Sequence, residues 1–214
     1  ASNWPLPSSR KNYYLTPTKQ LANTKPEQPS THPYTYNPAQ AVPTTGGQNF
    51  AAASGPYNQS ALESRSDVLV YTSEILDSPM EISGNVKVRL FVSTDVPCTD
   101  FTAKLTDVYP DGKSMLIVDS IRRLGVSEDF TTYAAAVPGQ IYELEIDLGS
   151  TSFIFNAGHR IRLAVSSSNS PRFEPNKNTG DLSGVSTTTA IAHQVIHMGE
   201  TTPSCLTLPV VRNE

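Results

Sequence analysis

The stretch Val86-Lys-Val-Arg-Leu-Phe-Val-Ser93 decides the fold class. Val86, Val88, Leu90 and Val92 fall on one side of an extended chain, with Lys87, Arg89, Phe91 and Ser93 on the other. That two-residue period belongs to a half-buried strand. The same signal recurs outward in both directions. Asp67-Val-Leu-Val-Tyr-Thr-Ser73 is a compact β-type run, and Phe101 to Val108 is another. The latter ends in Tyr109-Pro-Asp-Gly112, where Pro pre-sets one backbone angle and Gly supplies a positive φ, so Ser114 to Ser120 returns as its hairpin partner. Ile141 to Leu148 sets Tyr142, Leu144, Ile146 and Leu148 against Glu143, Glu145 and Asp147. His159 to Ser166 sets Ile161, Leu163 and Val165 inward, with Arg160 and Arg162 outward. This predicts that the two arginines pair with Glu143, Glu145 or Asp147 on a neighbouring strand. Thr189 to Met198 and Cys205 to Val211 complete the set. No segment holds a 3.6-residue period for more than a turn or two.

Composition agrees. The 214 residues are 37% hydrophobic and 17% charged, and the balance is made up by Ser, Thr and 17 prolines. A helical bundle needs far more Leu, Ala, Glu and Lys. Eight or so short strands between turn signals predict an all-β chain, a β-sandwich or barrel. The long connection from Ser167 to Ser186 favours a jelly-roll sandwich. Residues 1–66 differ from the rest, with nine prolines and no aspartate, but with Trp4, Tyr13, Tyr14, Tyr34, Tyr36, Phe50 and Tyr57. They are read as an extended proline-rich arm of the same domain with a few short strands, and 67–214 as the sandwich core. The net charge of −4 argues against a nucleic-acid partner. No apolar run has the length of a membrane span. Beginning at Ala1, the chain reads as a processed or excised piece.

The search for chemistry returns little. There is no Gly-x-Ser-x-Gly elbow, no phosphate-cradling glycine loop and no Cys-x-x-Cys pair. Ser8-Ser9-Arg10-Lys11 matches Ser-x-x-Lys without any supporting motif. His193 and His197 are four apart, which on a strand is about 13 Å and too far to share one ion. Asn176, Asn178 and Asp181 make an oxygen-rich loop with a single carboxylate, better suited to bonding nearby backbone than to holding calcium. Asp95, Asp100, Asp107 and Asp111 read as turn formers and ion-pair partners. No metal, cofactor or catalytic residue is expected in the chain. Cys98 and Cys205 read as two buried thiols, with a single bridge between them the other option.

One string carries a resemblance. Asp100-Phe-Thr-Ala-Lys-Leu-Thr-Asp-Val-Tyr-Pro-Asp-Gly112 resembles the C-terminal domain of the CocE/NonD hydrolase family, a domain type that also ends the X-Pro dipeptidyl peptidases. Further stretches match in the family's order: Val42-Pro-Thr-Thr-Gly-Gly47, Arg65-Ser-Asp-Val-Leu-Val-Tyr-Thr-Ser73, Phe155-Asn-Ala-Gly-His-Arg160, Val165-Ser-Ser-Ser-Asn169 and Leu206-Thr-Leu-Pro-Val210. The chain departs from the family at Asn58, where Asp is usual, at Ser170, where an aromatic is usual, and at Thr202, where His is frequent.

The resemblance implies a jelly roll of galactose-binding-like topology that follows an α/β-hydrolase domain bearing the Ser-His-Asp triad. Its implied role is that of an accessory domain of a serine esterase, acylase or peptidase, with that catalytic domain as partner and room for a homo-oligomer. The alternative is an independent carbohydrate- or ligand-binding sandwich, against which stand the single Trp and the concentration of aromatics in residues 1–66. In the family the segment after Gly46-Gly47 faces the catalytic domain near the acyl site. Phe50, with Asn49, is therefore the candidate for a pocket or domain interface. The competing reading is that Phe50 anchors residues 1–66 to their own sandwich.

Overall fold

Strand lengths follow from how far each alternation can continue before a glycine or proline interrupts it. The structure, a computed structural model, describes residues 4–50, 54–127, 129, 131–181 and 187–212. Among the described residues eleven strands form: β1 (Ser8–Leu15), β2 (Leu21–Ala22), β3 (Ser30–Tyr36), β4 (Leu69–Thr72), β5 (Met80–Ser93), β6 (Asp100–Val108), β7 (Ser114–Arg123), β8 (Tyr142–Phe155), β9 (Arg160–Ser166), β10 (Ala192–Met198) and β11 (Cys205–Val211). The eight strands read from residue 67 onward correspond to β4 through β11, and the fold is the all-β sandwich the alternation predicts.

Two antiparallel sheets stack. The larger runs β2-β1-β11-β5-β10-β3, with β8 also bonded to β5; the smaller runs β4-β9-β6-β7. β5 organises the larger sheet. One of its edges pairs with β8 from Met80 to Val92, and the other is shared in tandem by β11 and β10. Register slips between Val86 and Lys87 against β8, and between Thr207 and Val210 against β11. The second slip has a plain cause: Pro209 has no N–H to give to the ladder. Pro33 is accommodated because β3 is an edge strand.

Val86, Val88, Leu90 and Val92 of β5 are fully buried, and face Phe101, Ala103 and Leu105 of β6 and Ile161, Leu163 and Val165 of β9 in one continuous core. Residues 1–66 enter that architecture through their strands. β1 pairs with β11 from Ser8 to Tyr14, β3 pairs with β10, and Tyr13, Tyr34 and Tyr36 lie in the core. The connection from 167 onward is described as far as Asp181, and residues 182–186 lie outside the described residues.

The arginine pairing differs from the expectation. Arg160 and Arg162 do point away from the core, but β9 belongs to the smaller sheet while the acids of β8 belong to the larger one. Arg162 instead pairs with Glu63 at 2.6 Å, on the single helical turn α1 (Ser60–Glu63), and Arg160 donates to the Ser73 carbonyl at 3.0 Å. Glu145 and Glu143 pair with Lys87 and Arg89, their diagonal neighbours on β5. Alternation fixes a face; strand order fixes the partner.

Candidate functional site

β6 lies between β9 and β7 in the smaller sheet, and all nine of its residues are buried. Its inward side chains meet the core. Its outward ones, Thr102, Lys104 and Thr106, would meet solvent on a bare sheet but are covered by segments from 37–66 and 167–181. Polar groups buried in this way need partners. Lys104 donates to the Gln59 side-chain oxygen at 3.2 Å, and the Gln59 amide nitrogen donates to the Thr45 and Tyr57 carbonyls at 2.7 and 3.0 Å. On β7, Asp119 forms an ion pair with Arg172 and accepts from the Asn169 amide at 2.7 Å. Burial pushes the Lys104 ammonium below its ordinary range, with the nearby Asp119 charge acting in the opposite direction.

This polar layer holds a loop above it. The Val42 amide donates to the Ser168 hydroxyl at 2.8 Å, the Thr44 amide donates to the Ser170 carbonyl at 2.6 Å, and the Ser170 amide donates to the Val42 carbonyl at 2.9 Å. Gly47 and Gly55 bond each other at 2.7 and 3.0 Å, closing the excursion between them. Gly47, at φ 87°, brings backbone so near the ion pair that an added Cβ would stand 3.1 Å from Asp119 Oδ1. At Gly46 an added Cβ would stand only 2.4 Å from the Gly55 carbonyl oxygen, so both positions require glycine. Asn49 turns its amide back onto the Gly46 carbonyl at 2.7 Å, and Phe50 at the tip is fully exposed. A hollow of about 380 Å³ lies beneath, lined by Thr44, Gln48, Asn49, Phe50, Pro171, Arg172 and Phe173. The Arg172 guanidinium sits 5.0 Å from the centre of the Phe173 ring.

An exposed ring on a tied loop, above a hollow with a second ring and a fixed cation, can seat an apolar group. Among the described residues that line it there is no nucleophile beside a base. Each histidine has another engagement. His32 contacts the Tyr71 hydroxyl at 2.9 Å, and His159 contacts both Asp107 oxygens at 2.9 Å. His193 contacts Asp95 at 2.6 Å, and His197 contacts the Ser93 hydroxyl at 2.8 Å. Asp100 pairs with Arg123 and Asp111 with Lys113, at 2.7 and 2.8 Å. Asn176 donates to Asp100 at 2.9 Å and Asn178 to the Ala190 carbonyl at 2.7 Å, so the oxygen-rich loop bonds its own surroundings. Among the described residues no three His, Cys, Asp or Glu side chains converge as a metal site, and no helix is long and apolar enough to cross a membrane. Cys98 and Cys205 are both buried free thiols.

Sequence reading singled out Phe50 and Asn49, which the structure places together on the rim of the hollow. It missed Gln59, Lys104, Asp119 and Arg172 beneath them. The available signal was Gly46-Gly47 followed by Gln59, an uncharged polar residue among loop residues, but nothing local shows what either packs against.

Comparisons with known proteins identify the family of the chain. The profile of the X-Pro dipeptidyl-peptidase C-terminal non-catalytic domain matches residues 1–207. The chain is 36% identical over 225 aligned positions to cocaine esterase of Rhodococcus sp. (strain MB1 Bresler), an alignment covering 99% of this chain and 39% of the esterase. It superposes with a TM-score of 0.89, at 27% identity, on an aminopeptidase from the marine sediment archaeon Thaumarchaeota archaeon, covering 98% of this chain and 38% of that one. An α-amino acid ester hydrolase gives a TM-score of 0.84 at 25% identity, covering 94% of this chain and 36% of the hydrolase. The chain thus spans about two fifths of the length of each of these relatives.

Proposed function

Since the chain belongs to the X-Pro dipeptidyl-peptidase C-terminal non-catalytic domain family, we propose that it serves as the accessory domain of a serine hydrolase that cleaves ester, amide or X-Pro bonds. In this reading it packs on an α/β-hydrolase catalytic domain of the same polypeptide, and the 42–57 loop presents Phe50 and Asn49 to the edge of the acyl pocket. One observation carries the proposal. Phe50 is fully exposed although the loop bearing it is tied at both ends to a buried polar layer. A ring of that size left in water on a well-anchored loop suits a partner surface better than it suits anchoring its own sandwich. The substrate and the residues performing the chemistry belong to the catalytic partner.

The test is Phe50→Ala in the full-length protein, with kcat/KM measured across esters of increasing acyl size. The proposal expects a loss that depends on acyl size, of the order of 10-fold for the best-fitting group, corresponding to about 1.4 kcal/mol of transition-state binding. Unchanged kcat/KM for every acyl group overturns it. The same proposal extends to a homo-oligomer. Among the described residues β8 is bonded to β5 on one edge only, which leaves an edge for a second copy. Sedimentation velocity decides this: a purely monomeric full-length protein removes that part.

A further inference from the structure

The outward face of the larger sheet carries a trough of about 480 Å³, lined by strand residues and by Pro5 ahead of β1. Its shape follows from side-chain length. β11 supplies the floor with the short Thr207 and Pro209, while the strands on either side supply long walls: Arg10 on β1, and Lys87 and Arg89 on β5. β1 and β5 flank β11, so the walls stand about 10 Å apart at two inter-strand spacings.

The polar groups along the trough divide into committed and uncommitted ones. The Thr207 hydroxyl donates to Asn12 at 2.9 Å, the Asn85 amide donates to Asp147 at 2.8 Å, and Glu145 accepts from Lys87 at 2.6 Å. The Arg10 guanidinium is exposed and has no partner among the described residues. Arg89 is only loosely held, its Nη1 lying 3.8 Å from Glu143 and its Nη2 3.8 Å from the Cys205 sulfur. Its Nε is buried with no hydrogen-bond partner. An unmatched buried donor is unfavourable and is relieved by any acceptor for which the side chain can turn. The uncommitted charged groups are therefore donors carried on cations, whereas the nearby carboxylates already accept, Glu145 from Lys87 and Asp147 from Asn85.

We propose that this trough is an oxyanion-binding site, holding a carboxylate or phosphate group between Arg10 on one wall and Arg89 on the other. In register Arg10 stands beside Pro209 and Arg89 beside Cys205, an offset of four residues or about 13 Å along β11, so both long side chains must lean along the trough over Thr207 to share a planar or tetrahedral oxyanion, which offers several acceptor oxygens and no donors. Arg89 leaves Glu143 and Cys205 and swings over Thr207 to present Nε and one Nη as a fork. Lys87, already neutralised by Glu145, adds little.

The test is titration of the 214-residue chain with inorganic phosphate and, separately, with acetate, following backbone amides and arginine Nε–Hε signals by NMR. Expected are saturable shifts at low millimolar concentration for the Arg10 and Arg89 Hε signals and the β11 amides. Arg10→Gln and Arg89→Gln each raise the dissociation constant at least 5-fold, and Arg160→Gln on the other sheet leaves it unchanged. Glu145→Gln, which releases Lys87, lowers it 2- to 3-fold. Tighter phosphate than acetate identifies the ligand group as a phosphate, and the reverse identifies a carboxylate. Shifts that rise linearly without saturation for both probes, or saturable shifts that survive both arginine substitutions, overturn the proposal. Because this face is read independently of the Phe50 loop, neither result bears on the accessory-domain reading.

Discussion

The outward faces of the two sheets carry the same alternation of charged and apolar residues, yet one is open and the other roofed. On β5 and β8 the outward charges form exposed cross-strand pairs, Lys87 with Glu145 and Arg89 with Glu143. On β6, β7 and β9 the outward charges Lys104, Asp119 and Arg162 are covered by loops that bring Gln59, Glu63 and Arg172 to meet them. Exposed pairs lose little on separation, because water replaces the partner. A covered charge has no such replacement, so the loss of one partner strands the other. The contrast teaches that the roofed face fixes the position of the loop above it, whereas the open face remains available for a ligand.

The largest effect expected from this contrast is at Asp119. Asp119→Ala leaves the nearly buried Arg172 guanidinium unpaired and should cost about 3–5 kcal/mol in urea unfolding of the chain. A loss below about 1 kcal/mol would mean that the roof is wet and the comparison false.

The pH dependence sharpens the same point at Lys104. Burial lowers its folded pKa below the ordinary lysine value, so the unfolded chain binds the proton more readily. Between the lowered folded value and the unfolded value near 10.5, the unfolded state holds more protons and stability rises with pH. The burial penalty is present in full below that window. Lys104→Met should remove this rise, and the difference in unfolding free energy between wild type and variant should shrink as the pH is raised towards 10. A difference constant in pH would place Lys104 in water.

The smallest effect belongs to the open face. Lys87→Ala or Glu145→Ala should change stability by about 0–1 kcal/mol, and 0.5 M salt should abolish the change. A salt-insensitive loss comparable to that of Asp119→Ala would erase the distinction between the faces.

What the sequence made legible follows the same division. The alternations of β5, β8 and β9 and the Tyr109–Gly112 turn depend on neighbours in the chain, so they could be read directly. Phe50 and Asn49 were singled out from the family resemblance together with Gly46-Gly47, which lets the backbone turn sharply, and both lie on the rim of a hollow. The roof over β6 was not legible: Thr102, Lys104 and Thr106 alternate with apolar residues as they would on any solvent-facing strand. Their burial depends on segments far away in the chain, such as Gln59 against Lys104. The partners of Arg160 and Arg162 were misassigned for the same reason, since choosing them requires the order of strands within each sheet. β1 and β3 lie in sequence that prolines make look irregular, yet β3 tolerates Pro33 at the sheet edge, where one row of hydrogen bonds is not required.

Amide hydrogen exchange on the 214-residue chain tests most directly whether the buried polar layer fixes the loop that presents Phe50. In wild type the Gly47 and Gly55 amides, bonded to each other's carbonyls, and the Tyr57 amide, bonded to the Gly55 carbonyl, should be protected. Asp119→Asn removes the charge on which this corner rests while keeping its shape. The account predicts exchange at least 10-fold faster at those three amides, with the amides of β5 on the opposite sheet unchanged. Equal acceleration throughout the sandwich, or wild-type exchange at Gly47, Gly55 and Tyr57, would contradict it.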